Sequence, residues 1–239
     1  MQALILAGGL GTRLRSVVND KPKPMAAVSD KPFIEYQIEF LKRYDINHLI
    51  LCVGYLYEQI QNYFGNGGKW GIRIDYSIEK ELLGTAGALK QAQSFIDETF
   101  LVLNGDTYFD INLKDLIKFH QRKNAEHDSI GTLALTAIQD ARNFGAVTID
   151  AEHKILRFEE KAERAEASKL INAGIYVLAP EILQHIPSAQ KVSLEKETFP
   201  ALLNQGHRLF GYETTGYFVD IGTPAGYQGF QQYISGMRS

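Results

Sequence analysis

The chain has 239 residues, enough for an α/β domain with a sizeable core, and its 45% hydrophobic and 22% charged residues are those of an ordinary globular protein. The formal net charge of −3 leaves no overall basic field to draw it to nucleic acid or to an anionic lipid surface. A single cysteine, Cys52, excludes a disulfide framework within the chain, and no stretch approaches the ~20 apolar residues that a membrane span needs.

The N-terminus runs straight into a strand-like segment. It has no basic n-region and no small-residue cleavage site, so no signal peptide is expected, and the lone thiol fits a cytoplasmic setting. ALILA (3–7) has the character of a fully buried strand. The loop after it, AGGLGTRL (7–14), is glycine-rich and delivers an arginine. It misses two phosphate-binding patterns. Leu14 stands where the dinucleotide fingerprint needs its third glycine, and Gly11-Thr12-Arg13 stands where a P-loop needs Gly-Lys-Ser/Thr. Taken alone, it reads equally well as a tight turn with a solvated arginine.

In KPKPM (21–25), prolines fix φ beside Lys21 and Lys23. A pre-ordered lysine loses less entropy on clamping a phosphate, although a surface Pro-Lys turn has the same composition. FIEYQIEFLKRY (33–44) places Phe33, Ile34, Gln37, Ile38, Leu41 and Tyr44 on one stripe, so it reads as an amphipathic helix entered through Pro32. HLILCV (48–53) is a second buried strand with Cys52 in the core, and a short helix follows over 57–64. GNGGK (65–69) is a turn, IRIDYS (72–77) a strand, TAGALKQAQSF (85–95) a helix, FLVLNGD (100–106) a buried strand and LKDLIKFHQRKN (113–124) a helix, with Asp110 expected as its cap. This βαβα rhythm predicts a doubly wound parallel sheet with helices on both faces, a three-layer α/β/α arrangement.

After about residue 130 the strand-like pieces crowd together: IGTLALTAI, GAVTI, KILRFEE, LINAGIYVL, HRLFGYE and YFVDIG. Only two helices interrupt them, near 193–204 and 224–235. A mixed sheet is expected, and without a Pro/Gly/Ser-rich linker the whole of 1–239 reads as one domain, with the change of rhythm dividing it at about 125/126.

Two aspartates stand out. Asp106 closes an apolar strand at the edge where open α/β sheets bind ligands, and Asp220 interrupts the apolar run of YFVDIGTP. With no histidine or cysteine beside them, two such carboxylates suit Mg²⁺, which takes one or two carboxylates and leaves room for phosphate oxygens. The six histidines show no metal-ligand spacing. Trp70 and the other aromatics lack the basic stripe of a nucleic-acid platform. A glycine loop, an arginine, a constrained lysine and two metal-type aspartates together describe phosphoryl or nucleotidyl chemistry.

In order along the chain stand LAGGLGTRL (6–14), PKPM (22–25), LGTAGAL (83–89), LNGD (103–106), FGAV (144–147), EEK (159–161), NAGIYV (172–177) and VDIGTP (219–224). In this series the chain resembles the sugar-1-phosphate nucleotidyltransferases, the nucleoside-diphosphate-sugar pyrophosphorylases. Its closest likeness is to the short guanylyltransferases acting on D-glycero-D-manno-heptose 1-phosphate, and next to mannose-1-phosphate guanylyltransferases. The resemblance implies a Rossmann-like nucleotide-diphospho-sugar transferase fold, with a nucleotide-binding half (1–125) and a sugar-phosphate half (126–239). It implies transfer of a nucleoside monophosphate from a nucleoside triphosphate, GTP first, to a sugar 1-phosphate with release of pyrophosphate. UTP, dTTP or CTP with a hexose 1-phosphate is the alternative within the class, and cell-surface polysaccharide assembly is the implied setting.

By the same resemblance, Gly8, Gly9, Gly11 and Thr12 face the triphosphate, Arg13 its β and γ phosphates, and Lys23 the α-phosphate. Asp106 and Asp220 hold Mg²⁺. Leu6, Gly84 and Thr85 face base and ribose, and Asn104 joins the nucleotide side. Gly145, Glu160, Lys161 and Asn172 form the sugar side. Glu79 and Glu81 are pocket candidates without a role. Each assignment has a plainer alternative: Glu160 and Lys161 as a solvated pair in FEEKAERAE, Asn172 as a local backbone partner, Gly145 as a turn. Two departures from the pattern are Ala162, where many relatives have proline, and Phe218, where many have tryptophan. The chain ends soon after VDIGTP, so no C-terminal β-helix domain is expected, and the oligomeric state stays open. A nucleotide-sugar-binding regulatory subunit and a nicotinamide-dependent dehydrogenase are the competing readings, the latter opposed by Leu14.

Overall fold

The computed structural model describes residues 1–11, 14, 20–138, 144–160 and 170–238. In chain order the elements are β1 (Ala3–Ala7), a single 3₁₀ turn at Lys23–Met25, the two-residue strands β2 (Ala27–Val28) and β3 (Lys31–Pro32), α1 (Phe33–Lys42), β4 (His48–Val53), α2 (Tyr57–Phe64), β5 (Arg73–Ile78), α3 (Gly84–Gln91), β6 (Phe100–Asn104), β7 (Thr107–Phe109) and α4 (Leu113–His127). There follow β8 (Gly131–Ala137), β9 (Gly145–Ile149), β10 (Ile155–Glu160), β11 (Leu170–Leu178), α5 (Phe199–Asn204), β12 (Leu209–Glu213), β13 (Phe218–Asp220) and α6 (Pro224–Arg238).

Strands β5, β4, β1 and β6 lie side by side and parallel. The sheet then changes sense. β11 runs antiparallel to β6, and β8 antiparallel to β11, while β12 joins β8 in parallel and β9 and β10 complete the sheet as an antiparallel pair. The mixed, doubly wound sheet expected from the rhythm of the chain is therefore present. Apolar alternation along β1 shows how the three layers form. Ala3, Ile5 and Ala7 join one core with residues of α1, α2, α4 and α6, and Leu4 joins the other with residues of α3 and α5. Among the described residues, no helix is long and apolar enough to cross a membrane.

Three local expectations need correction. The helix expected over 85–95 is α-helical only to Gln91 and ends in a 3₁₀ turn, Ala92–Phe95. The helix expected near 193–204 opens as a π-turn, Leu194–Thr198, closed by the Phe199 amide on the Leu194 carbonyl. Pro200 follows at the start of α5 and supplies no N–H to an α-helical ladder. Asn112, not Asp110, caps α4: its side chain accepts from the Lys114 amide at 3.0 Å. Asp110 lies too far upstream to reach a free amide of that helix, and its carboxylate instead pairs with Arg43 at 2.9 Å.

The core also sets the position of the loops. Gln37 lies fully buried on the inner face of α1, and its Nε2 donates to the carbonyls of Asn104 (2.8 Å) and Thr107 (2.7 Å). The amide thereby holds the turn between β6 and β7. On α6, Phe230 packs edge-on to Phe33 (5.1 Å between ring centres) and Tyr36 (5.3 Å), which fixes α6 against α1. Truncation of a fully buried phenylalanine leaves a cavity, so Phe230→Ala is expected to lower the unfolding free energy by about 3–5 kcal/mol. The exposed neighbour change Gln232→Ala should shift it by less than about 0.5 kcal/mol, both read from urea denaturation midpoints.

Candidate active site

The four parallel strands end on one edge, and each end delivers a distinctive residue: Gly8 after β1, Gly54 after β4, Glu79 after β5, and Gly105 with Asp106 after β6. This is the edge at which open α/β sheets take ligands. The ends are drawn together by backbone bonds. The Gly105 amide donates to Leu6 O (3.0 Å) and the Glu79 amide to Val53 O (2.7 Å). A Cβ on Gly105 would stand 2.4 Å from the Leu6 oxygen, so only glycine permits the contact.

Above this edge lies a cavity of ≈ 440 Å³. Of the residues singled out from sequence, Leu6, Gly8, Gly9, Gly11, Lys23, Gly84, Thr85, Asn104 and Asp106 all line it. Gly11 adopts a φ of +59°, and a Cβ there would meet Lys23 Cβ at 3.0 Å, so the loop and the lysine segment touch. Lys23 is 11% exposed, and its ammonium reaches Asp106 Oδ2 at 2.6 Å, a charge-assisted pair at the cavity wall. Asn104 Oδ1 is buried without a hydrogen-bond partner among the described residues. Thr12, Arg13 and Lys161 lie outside the described residues, as does the side chain of Glu160.

The second aspartate arrives from far along the sequence. β13 pairs antiparallel with β7, which sets Asp220 opposite Thr107, and the Ile221 amide donates to Asp106 O at 2.9 Å. Asp106 and Asp220 are thus carried on adjoining backbone segments, although 114 positions separate them (220 − 106). Asp220 Oδ1 also accepts from the Gly222 amide at 2.5 Å. Among the described residues there is no cluster of three or more histidine, cysteine or acidic side chains suited to a metal ion. Two hard carboxylate donors with the remaining positions left to water and phosphate oxygens fit Mg²⁺ and do not fit a thiolate or imidazole metal.

The sugar-side candidates gather at a second place. Gly145, which opens β9, pairs with Glu160 of β10, and the next β9 residue, Ala146, pairs with Ile171 beside Asn172. Neither Gly145 nor Asn172 lines the main cavity. Asn172 does serve the local backbone, accepting from the Gly174 amide at 3.1 Å, and its Nδ2 donates to Tyr176 Oη at 2.7 Å.

Glu79 is the residue whose part the sequence left open. In SIEKELLG it has the look of a solvated charge, as Glu81 does, yet only Glu81 is exposed. Glu79 is buried on the cavity wall. Its Oε2 accepts from the Leu83 amide at 3.0 Å, and its Oε1 fills the space where a Gly8 side chain would begin. Burial raises its pKa above the ordinary carboxylate range, and the Leu83 hydrogen bond opposes that rise. The signal that could have separated the two glutamates is its place at the carboxyl end of a parallel strand. His120 is a satisfied core group: it is buried against Thr132 (3.0 Å), and burial pushes its pKa down to about 4.

The sequence profile of the Nucleotidyl transferase family matches residues 2–235. The chain belongs to that family. Membership sets aside the dehydrogenase reading and agrees with the strand-edge site. The D-glycero-alpha-D-manno-heptose 1-phosphate guanylyltransferase of Campylobacter jejuni is 42% identical over 233 residues, 96% of this chain and 98% of the relative. The protein of the same description from Aneurinibacillus thermoaerophilus is 38% identical over 235 residues, 98% of each. Among solved structures, HddC from Yersinia pseudotuberculosis complexed with GMP-PN superposes with a TM-score of 0.83 at 32% identity, covering 98% of this chain and 99% of that one.

The start of α3 depends on backbone shape. Gly84 has a φ of +70°, and a Cβ there would lie 2.5 Å from Val192 O. Gly84→Ala is therefore expected to lower the unfolding free energy by about 1–3 kcal/mol, read as a fall in thermal midpoint.

Proposed function

We propose that this nucleotidyltransferase joins GTP to a sugar 1-phosphate, D-glycero-α-D-manno-heptose 1-phosphate in the first place, and releases pyrophosphate. The observation that carries the reading is one cavity walled by the glycine loop, Glu79 and the Lys23–Asp106 pair, with Asp220 alongside. The two relatives described as heptose 1-phosphate guanylyltransferases support the substrate pair, and the neighbour complexed with GMP-PN supports the guanine nucleotide.

In this reading the roles divide along the chain, with 1–125 holding the nucleotide and 126–239 the sugar phosphate. Gly8, Gly9, Gly11 and Thr12 offer amides to the triphosphate, and Arg13 steadies its β and γ phosphates as pyrophosphate leaves. Leu6, Gly84, Thr85 and Asn104 border base and ribose. Gly145, Glu160 and Asn172 hold the sugar, and Lys161 its phosphate. A phosphate oxygen of the sugar 1-phosphate attacks the α-phosphorus while the α–β phosphoanhydride bond breaks. Two anions must meet, so the chain's work is positioning and charge neutralisation, and Lys23 is the cation assigned to the α-phosphate. Asp106 and Asp220 are the residues that would hold Mg²⁺, which when bound neutralises charge between the two substrates. No protein nucleophile is required; Cys52 is fully buried, and burial raises its thiol well above the ordinary range. The cytoplasm is the setting that fits, with the product feeding cell-surface polysaccharide assembly.

Glu79 supplies a reason for guanine. A carboxylate only accepts hydrogen bonds, and guanine presents two adjacent donors, N1–H and the N2 amino group, on one edge. Uracil and thymine present a single N–H between acceptors. With one oxygen already on Leu83, Glu79 still has lone pairs to offer.

A pyrophosphate-release assay across four nucleoside triphosphates and a panel of heptose and hexose 1-phosphates should give the highest kcat/KM for GTP with the heptose 1-phosphate. A preference for mannose 1-phosphate would move the sugar assignment, and a preference for UTP would overturn the base assignment. Asp106→Ala and Asp220→Ala should each lower turnover at least about a hundredfold with the thermal midpoint little changed. Near-normal rates would refute the metal assignment. Glu79→Gln should cut the preference for GTP over UTP by about 10- to 100-fold, the worth of a hydrogen bond to a charged group. The acid limb follows from the raised pKa: the accepting carboxylate is lost as pH falls through a value above the ordinary carboxylate range. kcat/KM for GTP should decline there in the wild type, and that limb should be missing in Glu79→Gln.

A further inference from the structure

The two gathering places of candidate residues are joined through Tyr176 and Glu195, to which the reading above gives no part. Its centre is Tyr176, fully buried on β11. Its hydroxyl accepts from Asn172 Nδ2 at 2.7 Å and donates to Glu195 Oε1 at 3.1 Å. Glu195 sits in the π-turn Leu194–Thr198, and its second oxygen accepts from Thr85 Oγ1 (2.8 Å) and Ser193 Oγ (2.9 Å). Thr85 Oγ1 in turn accepts from the Leu194 amide at 2.7 Å. The backbone repeats the link. Val192 O takes the amides of Ala86 (3.0 Å) and Gly87 (3.3 Å), and the Val192 amide donates to Leu83 O (2.8 Å).

The π-turn and the start of α3 are therefore tied together by side-chain and backbone hydrogen bonds. A shift of Thr85 carries Glu195 with it, and Glu195 can keep its bond to Tyr176 only if Tyr176 and Asn172 follow. Tyr176 is fully buried, so the alternative for its hydroxyl is an unsatisfied donor, which is costly. Burial also keeps the tyrosine protonated, its pKa well above the ordinary value, so the donor to Glu195 is always present. Gly174, at φ +70° where a Cβ would meet Asn104 Nδ2 at 2.9 Å, lets β11 bend between Asn172 and Tyr176, where its register with β8 slips. The bend brings the Asn172 amide onto the Tyr176 hydroxyl, four positions along the strand.

We propose that Tyr176 and Glu195 are positioning residues that couple nucleotide binding at the start of α3 to sugar 1-phosphate binding at Asn172. The proposal rests on the reading of Thr85 as nucleotide-side and Asn172 as sugar-side. It predicts that the nucleotide, by ordering the first turn of α3, sets Asn172 for the sugar phosphate, and by linkage that the sugar phosphate tightens nucleotide binding by the same factor.

The test is calorimetric titration of the full chain with the sugar 1-phosphate that the wild type turns over, with and without a saturating non-hydrolysable GTP analogue. In the wild type the analogue should tighten sugar phosphate binding by about fivefold or more. In Tyr176→Phe that enhancement should fall to less than twofold, while the Kd for the analogue alone stays within twofold of wild type. Glu195→Ala should behave like Tyr176→Phe. Glu195→Gln keeps an acceptor for Tyr176 and a polar partner for Thr85, so it should retain most of the enhancement. If Tyr176→Phe does not fold, the contrast between Glu195→Ala and Glu195→Gln decides the matter. Undiminished enhancement in folded Tyr176→Phe or Glu195→Ala would overturn the proposal, as would its absence in the wild type. A purely structural role would lower the thermal midpoint and weaken both ligands without changing the ratio. A wild type that binds neither ligand would overturn the substrate reading itself, a result distinct from loss of coupling.

Discussion

The turn between β6 and β7 is the constraint on which the rest of the site depends. It has to present Asp106 beyond the end of a buried parallel strand while its own carbonyls face the protein. Gln37 resolves this by donating from a single Nε2 to the carbonyls on either side of the turn, at Asn104 and Thr107. Bare backbone oxygens at this depth would be unstable without a donor. Helix α1 thereby acts as a brace for an acidic residue that is distant in sequence. The packing of Phe230 on Phe33 and Tyr36 carries the brace through to α6 and to the segment bearing Asp220.

From that turn the site grows by close approach. Gly105 lets the end of β6 touch Leu6, Gly8 leaves room for Glu79, and Gly11 lets the glycine loop rest on Lys23. Each contact exchanges a side chain for proximity of backbone, which is what a phosphate-binding edge requires: amides near the ligand and few side chains between. Charge is arranged to match, with a lysine already paired to the acidic residue at the cavity wall.

The antiparallel strands contribute a different kind of connection. β11 lies beside β6 and so shares its edge, and the slip in register between Asn172 and Tyr176 turns side chains toward Asn104 and Glu195. The π-turn before Pro200 supplies the glutamate that meets them. A strand irregularity and a helix irregularity, each unfavourable by itself, support one another where β11 meets the π-turn, as local departures from ideal geometry often do near function.

Local chemistry was enough to place the main buried strands and the longer helices. Short apolar runs such as 3–7, 48–53 and 100–104 can only be buried strands, and the stripe from Phe33 to Leu41 can only be a helix against a core, because period and burial are properties of neighbouring residues. Family motifs likewise carried Lys23, Asp106 and most of the cavity-lining residues. What local sequence could not decide were facts about distance in space. It misplaced the cap of α4 at Asp110, whose partner Arg43 comes from another helix. It could not separate Glu79 from Glu81, since Glu79 is buried against Gly8 and Gly54 from other segments. It paired Asp220 with Asp106 by chemical type and motif but could not give the β13–β7 register that carries them on adjoining segments, nor show Tyr176 linking Asn172 to Glu195. Those relations arise from strand register and helix packing, where each residue's partner is selected by the fold of the whole chain and not by its neighbours along it.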